Sequence, residues 1–378
     1  MNALGLYIHI PFCDRKCHYC DFASFAGKDH LTERYVGHLN EEIRQWGAAL
    51  GPTTIRTINF GGGTPSLLSG PQIAAVLAAV RESYEVPKGI EISLEANPGT
   101  VTLEKLSLYK EAGVNRLSFG VQSFDEKELK RLGRIHTAED IFRSFESARA
   151  AGIGNINLDF MFALPDQMFE GWQSNLKQGV ALGPDHISTY NLQIEEATPF
   201  YAAHQRGQLN LPDEDTELAM YEWAIGYIKE AGYRHYEISN FAKPGMECRH
   251  NLIYWRNENW LGVGSGAHSH LDGHRFANPD AVEAYLKLRD IPSRRLIEMK
   301  SPSLLTDRIA ETMMMGLRLH EGVSLKDFQA RFGAPIEKYY SGPLVELAQD
   351  GLIEVAHDAL RLSPRGLPLA NLVFERFI

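Results

Sequence analysis

Three of the four cysteines in this chain lie within eight positions of one another, as Cys13-x3-Cys17-x2-Cys20. Thiolates are soft, anionic and compact, which suits iron–sulfur clusters. A cubane ordinarily takes four of them. Three local cysteines leave one iron open to another ligand, and the amino and carboxylate pair of a methionine-like molecule fits that vacancy. A sulfonium would then sit beside a reducing cluster. The competing chemistry is zinc. Cys248, with His250 two residues on, completes a conceivable Cys3His set, although structural zinc usually draws its ligands in pairs from two loops.

Further reactive residues recur at intervals. The glycine run FGGGTPS (Phe60–Ser66) contains Gly62, Gly63 and Thr64. Such a run lets the backbone turn sharply, approach a ligand and present N–H groups. Glu95 lies in SLEANPG, Gln122 in SFGVQSF, Arg134 in LGRIHT and Asp159 in NINLDFM. An aspartate inside an apolar strand is costly unless paired, so Asp159 is expected to face a polar site. Tyr7 precedes the cysteines in YIHIPF.

The elements that must position these groups alternate regularly. Strands are predicted at Gly5–Ile10, Thr54–Phe60, Gly89–Ala96, 115–121, Asn155–Phe162 and Asp185–Ile194, with amphipathic helices between them. Thr32 is a candidate cap for the first helix. Apolar strands alternating with helices imply a parallel sheet buried on both faces. The expected fold is α/β: a partial (β/α) barrel of about six parallel strands with a small C-terminal helical, winged-helix-like domain. In such folds the chemistry lies at the C-terminal ends of the strands, where every motif above falls. Domain bounds are expected at 1–240, 241–300 (a loop region and connection) and 301–378. The last comprises three helices and a hairpin turning at Asp358.

Composition narrows the functions. The net charge is -10, and residues 301–378 hold 8 basic and 10 acidic side chains. A nucleic-acid reader would show a basic footprint, so none is expected as a partner. The N-terminus has no signal-peptide pattern and no stretch reaches membrane-spanning length, so a cytoplasmic protein is expected.

The string LYIHIPFCDRKCHYCDF resembles the radical S-adenosylmethionine superfamily, in the branch that holds oxygen-independent coproporphyrinogen III oxidases and haem chaperones. The resemblance implies a 4Fe-4S cluster on Cys13, Cys17 and Cys20. It implies S-adenosylmethionine contacts at Tyr7, Gly62, Gly63, Thr64, Glu95, Gln122, Arg134 and Asp159, with Gln193 near the adenosine. Within the branch two functions diverge. The oxidases carry a further cysteine where this chain has Phe22, and a long extension where it has twelve residues before Cys13. HNLIYW (His250–Trp255) instead resembles a motif of the haem-chaperone branch. The implied function is a haem chaperone, with haem as cargo near His250 and a haem-accepting protein, soluble or membrane-associated, as partner. His268 and His270 are alternative ligands, and Cys248 is a second thiolate or attachment point. Met313–Met315 is read as core filling. The alternatives are a coproporphyrinogen III dehydrogenase and a zinc-stabilised protein without redox chemistry.

Overall fold

The computed structural model describes residues 3–298 and 304–378. Its core is one long sheet with helices on its outer face. The strands are β1 (Ala3–Ile10), β2 (Thr54–Gly62), β3 (Glu91–Ala96), β4 (Arg116–Gln122), β5 (Asn155–Phe162), β6 (His186–Asn191), β7 (Arg234–Glu237), β8 (Asn240–Ala242), β9 (Trp260–Val263), β10 (His268–Leu271) and β11 (His274–Ala277). Their spatial order is β11-β10-β9-β1-β2-β3-β4-β5-β6-β8-β7. Pairing is parallel from β9 through β1 to β6 and antiparallel at both ends. The six strands expected from the sequence are therefore joined by a seventh parallel strand, β9, from far later in the chain. The boundary expected at 240 cuts through this sheet, because β9, β10 and β11 extend it beyond β1. The boundary expected at 300 lies outside the described residues.

Crossover helices α1 (Thr32–Leu50), α2 (Gly70–Ser83), α3 (Leu103–Ala112), α4 (Glu126–Leu132), α5 (Ala138–Ala150) and α6 (Phe169–Ala181) connect successive parallel strands. Ser69 and Gln72 form a capping box on α2, and Thr137 and Asp140 another on α5. Thr32 does not cap α1: it is the first helical residue, and a 3-10 turn over Asp29–Leu31 leads the chain in. The strands are not apolar on both faces, as the sequence reading held. Leu4, Leu6, Ile8 and Ile10 of β1 pack under the helices, as do Leu117, Phe119 and Val121 of β4 and Ile156, Leu158 and Phe160 of β5. The intervening positions turn polar groups inward: Glu91, Ser93, Arg116, Asn157, His186 and Ser188 are all buried. A period of two thus sorts each strand into an oily outside and a polar inside.

Two further helices, α7 (Pro199–Gln205) and α8 (Glu214–Glu230), precede β7, and α9 (Arg249–Trp255) precedes β9. The segment read as an ordered loop around 240–270 is thus largely regular structure. The C-terminal unit has its own core, built on Ile309, Met313, Leu317, Phe328 and Phe374. Its helices α10 (Leu305–Gly316), α11 (Leu325–Phe332) and α12 (Glu337–Gln349) stand with a small antiparallel sheet. His357 and Asp358 take positive φ (51° and 59°) in the hairpin turn, as a tight two-residue connection requires. The unit docks on the barrel's edge. Arg275 pairs with Glu311 at 2.6 Å, Asn257 donates to Thr312 at 3.1 Å, and the His320 N–H bonds the Tyr236 carbonyl at 3.0 Å.

Glu42 of α1 fastens the late strands to the first crossover. It is buried and accepts from Tyr285 (2.6 Å), Asn278 (2.8 Å) and the Gly264 N–H (2.9 Å). Burial pushes its carboxyl up from 4.5 to about 7. The folded group keeps its proton where the unfolded one has lost it. Its contribution to stability is therefore full below about pH 4.5 and is lost as pH rises through about 7. Glu42→Gln removes this titration. The stability of the parent relative to Glu42→Gln is expected to fall by about 3 kcal/mol between these limits. Denaturant titrations across the range check this, and a pH-independent difference refutes it.

Candidate functional site

The cysteine loop begins where β1 ends and lies against the glycine run that ends β2. The Gly63 N–H donates to the Ile10 carbonyl and the Thr64 N–H to the Phe12 carbonyl, both at 2.8 Å. The Gly62 N–H reaches Glu95 at 3.3 Å. These N–H groups are spent within the protein, so the run does not offer them to a ligand as its sequence suggests. Its glycines serve close approach. A Cβ on Gly63 would come within 2.7 Å of the Phe12 carbonyl oxygen, and one on Gly62, at φ 109°, within 2.5 Å of the His9 ring.

Two of the three thiols meet polar hydrogens. Thr64 Oγ1 donates to Cys13 Sγ and Arg134 Nη1 to Cys17 Sγ, each at 3.5 Å. Arg134 Nη2 also donates to Asn97 Oδ1 (2.5 Å) and to the Gly120 carbonyl (2.6 Å), while Asn97 Nδ2 donates to Thr64 Oγ1 (3.0 Å). A continuous chain thus runs from Cys17 through Arg134, Asn97 and Thr64 to Cys13. Burial raises the Cys13 and Cys20 thiols, and the Thr64 hydrogen bond partly offsets this at Cys13. Hydrogen-bond donors and a buried cation around such sulfurs suit an anionic thiolate cluster. Among the described residues no three His, Cys, Asp or Glu side chains converge on one metal ion. A mononuclear zinc site needs that convergence. A cubane takes each thiolate on a different iron and does not.

Beside the thiols a cavity of about 440 Å³ opens into the polar interior. Cys13, Cys17 and Cys20 line it together with Gly62, Gly63, Thr64, Glu95, Gln122, Arg134 and Asp159, and Gln193 lies at its wall. The residues predicted for the cluster and S-adenosylmethionine, Tyr7 excepted, are brought together here from β2 to β5 and the segments that follow β1, β2 and α4. Glu95 is pushed up to about 7, by burial first and then by the nearby charge of Asp159. Burial also raises Asp159, against donors from Ser118 (2.9 Å) and Asn157 (2.8 Å). Gln122 ends β4 at a register shift and takes a left-handed φ of 65°, which points to a held side chain with a task.

The floor holds residues that the motif search missed. Arg116 donates to Asn155 at 2.6 Å; His186 bonds Asn157 at 2.6 Å and Tyr236 at 2.8 Å. Glu91 accepts from the N–H groups of Arg249 (3.0 Å) and His250 (2.9 Å) and from Cys248 Sγ (3.7 Å). Their signal was present as polar residues two apart, in Arg116-x-Ser118 and Asn155-x-Asn157-x-Asp159. Burial pushes the Cys248 thiol up to about 12. It lines the cavity floor with its Sγ towards Glu91, an environment that disfavours the second thiolate expected there.

The HNLIYW motif forms α9 and divides its side chains. Asn251 lines the first cavity, while Tyr254 and Trp255 line a second, of about 610 Å³. His250 is fully buried between them. Its Nδ1 bonds Thr57 at 2.7 Å and its Nε2 bonds Tyr254 at 2.8 Å, and burial lowers its pKa to about 3. Both ring nitrogens are occupied, so the expectation of His250 as a haem ligand is not met in this geometry. The second cavity also takes Tyr7, Phe22, Trp260, His268 and Met315. Tyr7 therefore faces this space and not the first. Met313 is core, as expected of the methionine run, but Met315 is not. Asp21, Phe22, Gly62 and Glu95 border both cavities, and Phe22 is 61% exposed at their common lip.

Replacing Gln122 by glycine relieves its backbone while deleting its side chain. Gln122→Gly is expected to leave stability unchanged or to raise it by about 1 kcal/mol, read by denaturant titration. A loss of stability would show that the side chain supports the fold.

Residues 7–177 match the model of the radical SAM superfamily, and residues 304–369 that of the HemN C-terminal domain. The solved coproporphyrinogen III oxidase HemN from Escherichia coli superposes with a TM-score of 0.83, covering 100% of this chain and 90% of its own, at 24% identity. That likeness speaks for the fold. A haem chaperone HemW from Bacillus subtilis is 39% identical over 98% of both chains. HemW from Escherichia coli is 38% identical over 99% of this chain and 98% of its own. A mitochondrial radical S-adenosyl methionine domain-containing protein 1 from Mus musculus is 35% identical, covering 97% of this chain and 85% of its own. The cofactors of the superfamily are a 4Fe-4S cluster and S-adenosylmethionine, which the thiol loop and its cavity suit. With full-length relatives at this level of identity, the chain belongs to the HemW family of the radical SAM superfamily.

Proposed function

We propose that this protein binds haem and passes it to an acceptor protein, with a 4Fe-4S cluster and S-adenosylmethionine held next to the haem. The observation that carries the reading is the pair of adjoining cavities. One is polar and rimmed by thiols; the other is aromatic, and they share Asp21, Phe22, Gly62 and Glu95. Cys13, Cys17 and Cys20 hold the cluster. Gly62, Gly63, Thr64, Glu95, Gln122, Arg134 and Asp159 surround S-adenosylmethionine, and Tyr7 backs Glu95 from the aromatic side. A cluster held by these thiols would supply one-electron reduction to S-adenosylmethionine in the adjoining cavity. The protein's part is to orient and to shield. Glu95 and Asp159 set negative charge against a cationic ligand, and Arg134, bonded to Cys17, Asn97 and Gly120, keeps a buried cation at the thiol end.

The reading includes residence in the cytoplasm and a haem-accepting protein as partner, membrane-associated in the first instance. No described helix is long and apolar enough to cross a membrane. The C-terminal unit, with its acidic balance, docks on the barrel and argues for a protein partner over nucleic acid.

Two measurements test the reading. The reconstituted protein is titrated with haem under anaerobic conditions and then mixed with a haem-free b-type cytochrome. The expected result is a Soret band on the protein that decays as the cytochrome's spectrum appears. Binding without transfer refutes the carrier role. S-adenosylmethionine affinity, measured by calorimetry from pH 6 to 8, is expected to rise as Glu95 loses its proton near pH 7. Because Asp159 raises Glu95, Asp159→Asn moves that midpoint to lower pH. A pH-independent affinity removes Glu95 from the contact set.

A further inference from the structure

Given that the chain carries haem, its iron needs a side chain free to bind it. Four histidines stand in or near the aromatic cavity, and three are committed or lie behind its lining. His250 is sealed by Thr57 and Tyr254. His270 is buried behind the lining, with Nδ1 on the Glu258 carbonyl at 2.9 Å and Nε2 without a partner, so position and not bonding sets it aside. His9 lines the cavity, but its Nδ1 meets the Tyr7 hydroxyl at 3.0 Å and its Nε2 the Ala23 carbonyl at 2.9 Å. His268 also lines the cavity, is exposed, and has no side-chain hydrogen bond among those described.

We propose that haem occupies the aromatic cavity with His268 as its iron ligand. This rests on the haem-carrier reading and adds to it a place and a ligand. The walls fit a flat, apolar macrocycle. Trp260 is locked by an N–H bond to the His268 carbonyl at 3.1 Å and by edge contact with Tyr254, ring centroids 4.7 Å apart. Its orientation is thus tied to the backbone of the proposed ligand. Arg275 lies over the Trp260 ring at 5.0 Å and, although paired with Glu311, stands at the cavity edge. Phe22 and Trp255 close the remaining sides. A volume of about 610 Å³ is within the range of sites for large organic ligands. His250 then acts at one remove, as a positioning residue that holds Tyr254 and through it Trp260.

The test uses the full chain. Ferric haem is titrated into the parent, His268→Ala, His268→Met and His250→Ala, and each is read by Soret absorption and electron paramagnetic resonance. S-adenosylmethionine binding serves as the check on folding. His268→Ala is expected to lose the nitrogen-ligand signature and to bind haem about tenfold more weakly or worse. Added imidazole should restore the parental spectrum. His268→Met should show a sulfur ligand in its place, and His250→Ala should keep nitrogen ligation. Parental spectra from both His268 variants overturn the assignment while leaving the carrier reading intact. A parent that binds no haem overturns the carrier reading itself.

Discussion

The buried carboxylate of Glu91 is the constraint on which both cavities depend. It stands at the start of β3 and accepts the first N–H groups of α9 together with the Cys248 thiol. A helix of only seven residues has little stability of its own, and its opening N–H groups need a partner. Glu91 is that partner, supplied from the middle of the sheet. Once α9 is seated, His250 meets Thr57, Asn251 enters one cavity, and Tyr254 and Trp255 enter the other. The backbone carries on into β9, which pairs with β1, the strand that leads to the cysteines. One acid thereby couples the wall of the aromatic cavity to the thiol side.

The interior is charged in both senses, and its layout follows from the cost of burying charge. Arg116 sits low in the barrel near Glu91, where it donates to Asn155 and leaves its buried Nε without a partner. Arg134 sits high, against the Cys17 sulfur. Between them, among the described residues, Glu95 and Asp159 have no arginine hydrogen-bonded to them, and burial raises both. Two buried cations thus frame a pair of acids. An incoming cationic group would complete that balance.

Much of this was legible in the sequence. The cysteine spacing, the placing of Glu95 and Gln122 at strand ends and of Asp159 within a strand, and the succession of the first six strands along the chain all follow from local pattern. What escaped was non-local. β9 joins the sheet next to β1 through pairing across about 250 residues, which periodicity does not report. The polar inner face was visible in Arg116-x-Ser118 and in Asn157-x-Asp159, yet the outward Leu and Ile residues dominated the reading of those strands. His250 looked available because its motif is polar, and only the packing shows Thr57 and Tyr254 closing over it. Phe22 marked a difference from the oxidases by its identity, and its place on the lip between two spaces came from the fold.

The sheet never closes on itself. Antiparallel strands finish it at β11 on one side and β7 on the other. A closed barrel would give a guest one axial door, shared with whatever occupies the centre. This open rim gives the aromatic space a flank of its own, roofed in part by α10. The two spaces meet at Asp21, Phe22, Gly62 and Glu95, so a guest on the flank would lie against the chamber of the thiols.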